Sequence, residues 1–398
     1  MLRPLLVTVL AALTGLACPD EPSASDVPSP TASAAEAAPD STAMSDGGAV
    51  ALPEAVVRRL VAEDSLWAEA LRIHYDAIVV DGHIDTPSLM LNDGYRLGDR
   101  HRRHHVDLPR MTEGGLDGAF FAAYVARSYG EGPEATDRAL AMLTEVDRQV
   151  GTLDGAEIAR TAADVRRIAR AGKKAVLLGL EGGHALQADR DVLRLLWANG
   201  VRYVTLTHTN TNAWADASTD APRWGGLNDI GRGLVHEMNR LGVLVDLSHV
   251  SDDTFADALA ATEAPVIVSH SSCRALYDHA RNVPDDLLRG VADNGGVVMV
   301  NFYDDYLGAG RVTLDTVLNH LDHAITVAGP DHVGLGSDFD GVPSLPEGLG
   351  DVTRLPWITY GLLRRGHSEA DVRKVLGGNV LRVMERAEAV SDSIRAAE

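Results

Sequence analysis

Eight short apolar runs recur along this chain, separated by longer amphipathic stretches, and most of them end in a histidine or an acid. The runs are AIVVDGH (77–83), GAFFAAYV (118–125), AVLLGLE (175–181), RYVTLTH (202–208), VLVDLSH (243–249), PVIVSH (265–270), GVVMVNF (296–302) and HVGLGSD (332–338). Most are continuously apolar rather than alternating, as parallel strands covered on both faces must be. Stretches such as DRALAMLTEVDRQV and LNDIGRGLVHEMNRLG lie between them with helical periodicity. Eight strands with helical crossovers predict a (β/α)8 barrel of the TIM type. A doubly wound open sheet is the alternative fold, but no G-x-G-x-x-G follows the first strand to favour it.

The polar residues fall at the carboxyl ends of these strands, where a barrel gathers them on one rim. His83 and Asp85 stand at i and i+2, so on a strand both side chains share the inner face while Ile84 packs outward. The bland alternative is a structural His–Asp hydrogen bond. Glu181 closes VLLGLEGG, and a carboxylate there is expensive to bury without a cation. It can bridge two ions through its two oxygens. The chain has only three lysines, Lys173, Lys174 and Lys374, and none ends a strand, which favours Glu181 over a carbamylated lysine as the bridge. A capping or salt-bridged glutamate is the competing reading. His249 and His270 end successive strands and complete a second half-site. Five N and O ligands, His83, Asp85, Glu181, His249 and His270, suit two zinc ions and leave open positions, as a catalytic site requires.

Composition narrows the rest. Asp and Glu number 57 against 36 Lys and Arg, a net charge of −21, which argues against nucleic acid or an anionic membrane surface as the main partner. Two cysteines, Cys18 and Cys273, exclude a disulfide framework and a thiolate zinc cluster. Cys273, just past the sixth strand, reads as a small buried apolar residue rather than a nucleophile. Arg3 followed by LLVTVLAALTGLA and Cys18 has signal-peptide shape, and the cysteine resembles a lipoprotein cleavage site. Residues 19–50 are rich in Pro, Ser, Ala and Asp, carry six acids and no base, and read as a flexible tether. The organisation expected is therefore a leader over 1–18, a linker over 19–50 and one catalytic domain over 51–398. An exported protein, lipid-anchored through Cys18 and facing the periplasm or cell exterior, is expected.

DGHIDTP, LEGGHAL, GVRYVTLTHTNTNAWAD, VDLSHVS, PVIVSHSSCRAL, RNVPDD and GSDFDG occur in this order, and KVLGGNVLRV follows near the C-terminus. Together they resemble the membrane (renal-type) dipeptidase family. That resemblance implies a zinc-dependent (β/α)8 hydrolase of dipeptides, with two zinc ions and a homodimeric state. It places the five ligands on the residues above. It also implies that His208 contacts the substrate carbonyl region, that Arg281 receives the substrate carboxylate, and that Asp338 is the acid near the scissile amide. On the residues alone, His208 could be a further ligand, Arg281 could pair with Asp285 or Asp286, and Asp338 could ligate metal. Tyr303 and Tyr306 could contact substrate or wall the pocket. His101, His104 and His105 read as a solvated or lid segment, and His236, His320 and His323 as helical residues facing solvent or neighbouring helices. Two rival functions stay open: a related binuclear-zinc amide or β-lactam hydrolase, and a non-catalytic peptide-binding surface lipoprotein.

Overall fold

The computed structural model describes residues 52–398. The expected leader, Cys18 and the whole of the expected linker lie outside them. Nine strands form: β1 Val80–Ile84, β2 Gly118–Tyr124, β3 Ala156–Ile158, β4 Lys174–Glu181, β5 Val201–Thr205, β6 Leu244–Asp246, β7 Ile267–Val268, β8 Val297–Val300 and β9 Val333–Leu335. All pairings are parallel, β2 also pairs with β4, and β1 pairs with β9. Eight strands thus close into the expected barrel. The ninth, β3, is an unforeseen three-residue strand that pairs only with β4 and lies outside the closure.

Helices cover the outside because their apolar faces need the strands' outer residues. The helix Asp229–Leu241 starts where Asn228 Oδ1 accepts the N–H groups of Ile230 and Gly231, and stops at Gly242, whose φ of 70° ends the helix in the left-handed region. Inside the barrel, Phe120, Leu177, Leu244, Ile267, Val297 and Met299 fill the lower layers. Gly179 makes the space above them: a Cβ there would strike the Tyr203 ring, which occupies the barrel axis instead. At the amino-terminal end, Gly377 lets the C-terminal segment press against the backbone of Ile78 and Val80.

Apart from β4, the barrel strands are shorter than the apolar runs suggest. Only Glu181 and His83 lie within strands; Asp85, His208, His249, His270 and Asp338 stand one to three residues beyond the last strand residue. At His249 and Asp338 the cause is visible in the backbone. Their φ values of 69° and 63° turn the chain out of the ladder, a conformation that costs a non-glycine residue about 1–3 kcal/mol and tends to collect at functional sites.

Candidate active site

Glu181 is the centre of the rim. It is 3% exposed, and its two oxygens face different partners. Oε2 lies 3.5 Å from His83 Nε2, and His83 Nε2 lies 3.2 Å from Asp85 Oδ2. Oε1 lies 3.0 Å from His249 Nε2 and 3.4 Å from His270 Nε2, while those two nitrogens are 2.9 Å apart. The structure therefore brings all five expected ligands together and divides them about one carboxylate. His208 Nε2 stands further off, 3.8 Å from Oε1.

The donor set fits metal. Ligands held at about 2.0–2.2 Å around a tetrahedral ion are spaced about 3.4 Å from one another, which is the spacing seen within each half. Imidazole and carboxylate are the ligand types zinc takes. Asp85 Oδ1 and His249 Nδ1 are buried with no hydrogen-bond partner. The electrostatics show the same shortage of positive charge. Burial, with the Glu181 and Asp338 charges beside it and only His83 opposing, pushes the Asp85 carboxyl up to about 8. Burial alone would raise Glu181 too, but the imidazoles of His83 and His208 hold it well below the usual carboxylate range.

Three further residues complete the site. Asp338 adjoins the first half: its Oδ2 accepts from Asn301 Nδ2 at 2.9 Å, and His83, Asp85 and Asp338 form one group of converging donors. Arg281 is 3% exposed. It donates from Nη1 to Ser271 Oγ and from Nη2 to the His270 carbonyl, both at 3.1 Å, and stacks on the Tyr306 ring at 5.4 Å. Its Nε is unpartnered, and no carboxylate among the described residues pairs with it. Asp285, one alternative partner, is taken by His323 instead. Both of its hydrogen-bond partners are neutral oxygens, so no ion pair directly neutralises this buried guanidinium.

A cavity of about 430 Å³ opens over the site, lined by Asp85, Glu181, His208, His249 and Asp338 and walled by Tyr124, Tyr303 and Tyr306. Thr209 and the turn Asp340–Pro343 also contribute to the wall. The histidine-rich loop differs from a free lid. His105 donates its N–H to Asp340 Oδ1 at 2.6 Å and accepts the Asp340 N–H at Nδ1, while Asp340 Oδ2 accepts from Thr86 Oγ1 at 2.7 Å. His101 stacks on Tyr95. Of the helical histidines, His320 is buried and bonded to the Leu307 carbonyl, and His236 is exposed. Cys273 is buried, and burial pushes its thiol up to about 12. Sequence reasoning missed Tyr203, whose hydroxyl lies 2.7 Å from His83 Nδ1, and two buried acids, Asp81 and Asp246, beneath the ligands. Their signal was present: an acid inside an apolar run two or three residues before a ligand histidine.

Known proteins resemble this chain over most of its length. The profile of the membrane dipeptidases, peptidase family M19, matches residues 67–398. Dipeptidase tcpJ of Claviceps purpurea is 39% identical over 338 residues, spanning 82% of this chain and 76% of that protein. Dipeptidase verJ of Clonostachys rogersoniana is 38% identical over 354 residues, spanning 84% and 91%. Among solved structures, a metallopeptidase from Rhodobacter sphaeroides, liganded with a phosphinate mimic of the dipeptide L-Ala-D-Ala, superposes with a TM-score of 0.72 at 32% identity, covering 78% of this chain and all (100%) of that one. Dipeptidase AC, a family M19 metallopeptidase, gives 0.72 at 33% identity, covering 78% and 98%. With a profile match over most of its length and relatives of this similarity, the chain belongs to the membrane dipeptidase family, peptidase family M19.

Proposed function

We propose that this barrel hydrolyses the peptide bond of dipeptides with two zinc ions, one held by His83, Asp85 and Glu181 and the other by Glu181, His249 and His270. The observation that carries this reading is the division of Glu181: its two oxygens face separate donor groups. Bound there, zinc supplies Lewis acidity and a water acidified to near neutrality.

The chain's own residues do the rest. Arg281 receives the substrate's free carboxylate, because its buried charge has only neutral partners; this selects substrates with an open C-terminus. His208, on the cavity wall beside Glu181 Oε1, donates to the carbonyl oxygen as charge develops on it, a role whose removal typically costs about 10²–10³ in rate. Asp338, oriented by Asn301, accepts a proton from the attacking water and delivers it to the leaving amine. Tyr124, Tyr303 and Tyr306 wall the cavity against bulk water. The dipeptide mimic in the Rhodobacter sphaeroides relative supports a substrate of this size.

The test is a metal count together with turnover of L-L, L-D, N-blocked and C-amidated dipeptides. The reading expects two zinc ions per chain and cleavage only where the C-terminus is free. Hydrolysis confined to N-blocked or C-amidated substrates, or fewer than two ions in the active protein, overturns it. On the residues before 52 we propose export and lipid anchoring at Cys18; Cys18→Ala should then move the protein from the membrane to the soluble fraction. A homodimer is the expected assembly, checked by sedimentation.

A further inference from the structure

Beneath the second half-site lies a carboxylate that the proposed mechanism does not use. Asp246 ends β6, three residues before His249, and is fully buried. Its Oδ1 accepts the backbone N–H groups of Ser248 at 3.1 Å and Ser269 at 2.8 Å. Its Oδ2 accepts the hydroxyls of Thr205 at 2.5 Å and Ser269 at 2.6 Å. No lysine or arginine among the described residues pairs with it. Four hydrogen-bond donors thus converge on this buried carboxylate, so its polar atoms are satisfied without a direct ion pair.

One of those donors leads back to the site. Ser269 Oγ also lies 2.8 Å from His270 Nδ1. A serine hydroxyl has a single proton. The short bond to Asp246 takes that proton, so the oxygen has only lone pairs to offer His270, and Nδ1 must carry the hydrogen. The lone pair of His270 is thereby left on Nε2, the atom that faces Glu181 Oε1. The other two imidazoles lack such backing. His83 Nδ1 meets a neutral phenol, and His249 Nδ1 meets nothing.

We propose that Asp246 and Ser269 are positioning residues that set the tautomer of His270 and strengthen it as a metal donor, and so control the affinity of the His249–His270 ion without touching the other. This rests on the two-ion reading above. In Asp246→Asn the side-chain amide would donate to Ser269 Oγ where the carboxylate had accepted. The serine proton would then turn to His270 Nδ1, the imidazole hydrogen would move to Nε2, and the ligating position would be blocked. Ser269→Ala removes the relay and leaves the carboxylate in place.

The experiment challenges zinc-loaded full-length protein with graded chelator and follows ion release by elemental analysis, with thermal unfolding alongside. Orienting partners of ligand histidines typically change metal affinity by about 10–100-fold. In both variants one ion per chain should therefore leave at 10–100-fold lower chelator strength while the other leaves as in the wild type. The inference is overturned if both variants release two ions at wild-type chelator strength, or if both ions loosen in parallel with a fall in melting temperature, which is what a merely structural role predicts. A wild type holding fewer than two ions overturns the two-ion reading itself, and this inference with it.

Discussion

Gly341 offers a steric probe of the site that leaves the fold alone. It lies three residues past Asp338 and donates its N–H to the Asp338 carbonyl at 3.1 Å. Its φ is not in the left-handed region, so alanine there brings no backbone strain. A Cβ at this position would stand 2.9 Å from Asp85 Cγ and closer still to Asp85 Oδ2 and Asp338 Oδ1. Ordinary contacts to carbon need about 3.5–4.0 Å, and because Oδ2 would be nearer than Cγ the Asp85 carboxylate must retreat by more than about 1 Å. Asp85 is a proposed ligand and Asp338 the proposed proton carrier, and a misplacement of about 1 Å can cost about 10²-fold in rate. Gly341→Ala should therefore lower kcat/KM on a dipeptide about 100-fold, equal to about 2.7 kcal/mol of transition-state stabilisation. Gly350→Ala, where an added Cβ meets nothing within 4 Å, is the control and should be near wild type. The assay is steady-state hydrolysis with melting temperature measured on the same samples. A Gly341→Ala enzyme within threefold of wild type, or one whose loss of activity merely follows loss of fold, refutes the reasoning.

Other outcomes follow from the same geometry. Arg281→Met removes the buried charge meant for the substrate carboxylate; kcat/KM should fall by about 10²–10³, and the preference for free over amidated C-termini should vanish, as paired assays would show. Removing metal with a chelator should lower the melting temperature, because an ion present at about 1,000 times its Kd stabilises the folded state by about 4 kcal/mol; an unchanged melting curve would contradict an ion-holding centre. His74 is buried between Thr359 Oγ1 and the Gly114 carbonyl, and burial pushes its imidazole down to about 4. The folded state thus binds fewer protons than the unfolded chain, so stability is full above about pH 6.5 and is lost as pH falls towards 4, by up to about 3 kcal/mol from this residue. His74→Gln should flatten the pH dependence of denaturant midpoints in that window. Cys273→Ala should keep activity within about twofold at a cost near 1 kcal/mol of stability, since the thiol is buried and stays protonated.

How much of this the sequence discloses depends on the distance over which each feature is decided. The barrel is legible because strand AVLLGLE, buried on both faces, and helix DRALAMLTEVDRQV carry their environment in their own periodicity. The five ligands are legible because each ends an apolar run. Strand lengths are not: nothing local in VIVSH announces that β7 stops after Val268, because what stops it is the turn towards the centre. The cavity wall is not legible either. Val342 and Pro343 reach it through a turn pinned by His105 and Thr86, residues more than 200 positions away. Similarly, Asp216 shapes the loop after His208 by accepting the backbone N–H groups of Arg223, Trp224, Gly225 and Gly226, a set of partners that no periodicity marks.

The two buried acids explain how the ligands can leave the sheet and still be fixed. Where a strand ends, its backbone donors lose their ladder partners, and orphaned buried N–H groups are costly. Asp81 Oδ1 accepts the N–H groups of His83 and Ser337 at 3.0 and 2.9 Å, joining the ligand end of β1 to that of β9, next to Asp338. Asp246 Oδ1 accepts those of Ser248 and Ser269, joining the ends that bear His249 and His270. The device is the same in VDGH and VDLSH: an acid two or three residues below the ligand takes over the hydrogen bonding of two neighbouring chain ends. Each such bond to a charged group is worth about 1.5–3 kcal/mol, which offsets the left-handed backbone at His249 and Asp338. The acids differ in one respect. Asp81 Oδ2 has no partner, and burial pushes that carboxyl up to about 6, whereas all of Asp246's donors are in place. Of the two, the second aspartate reaches a ligand's ring through a hydroxyl, by way of Ser269 Oγ to His270 Nδ1.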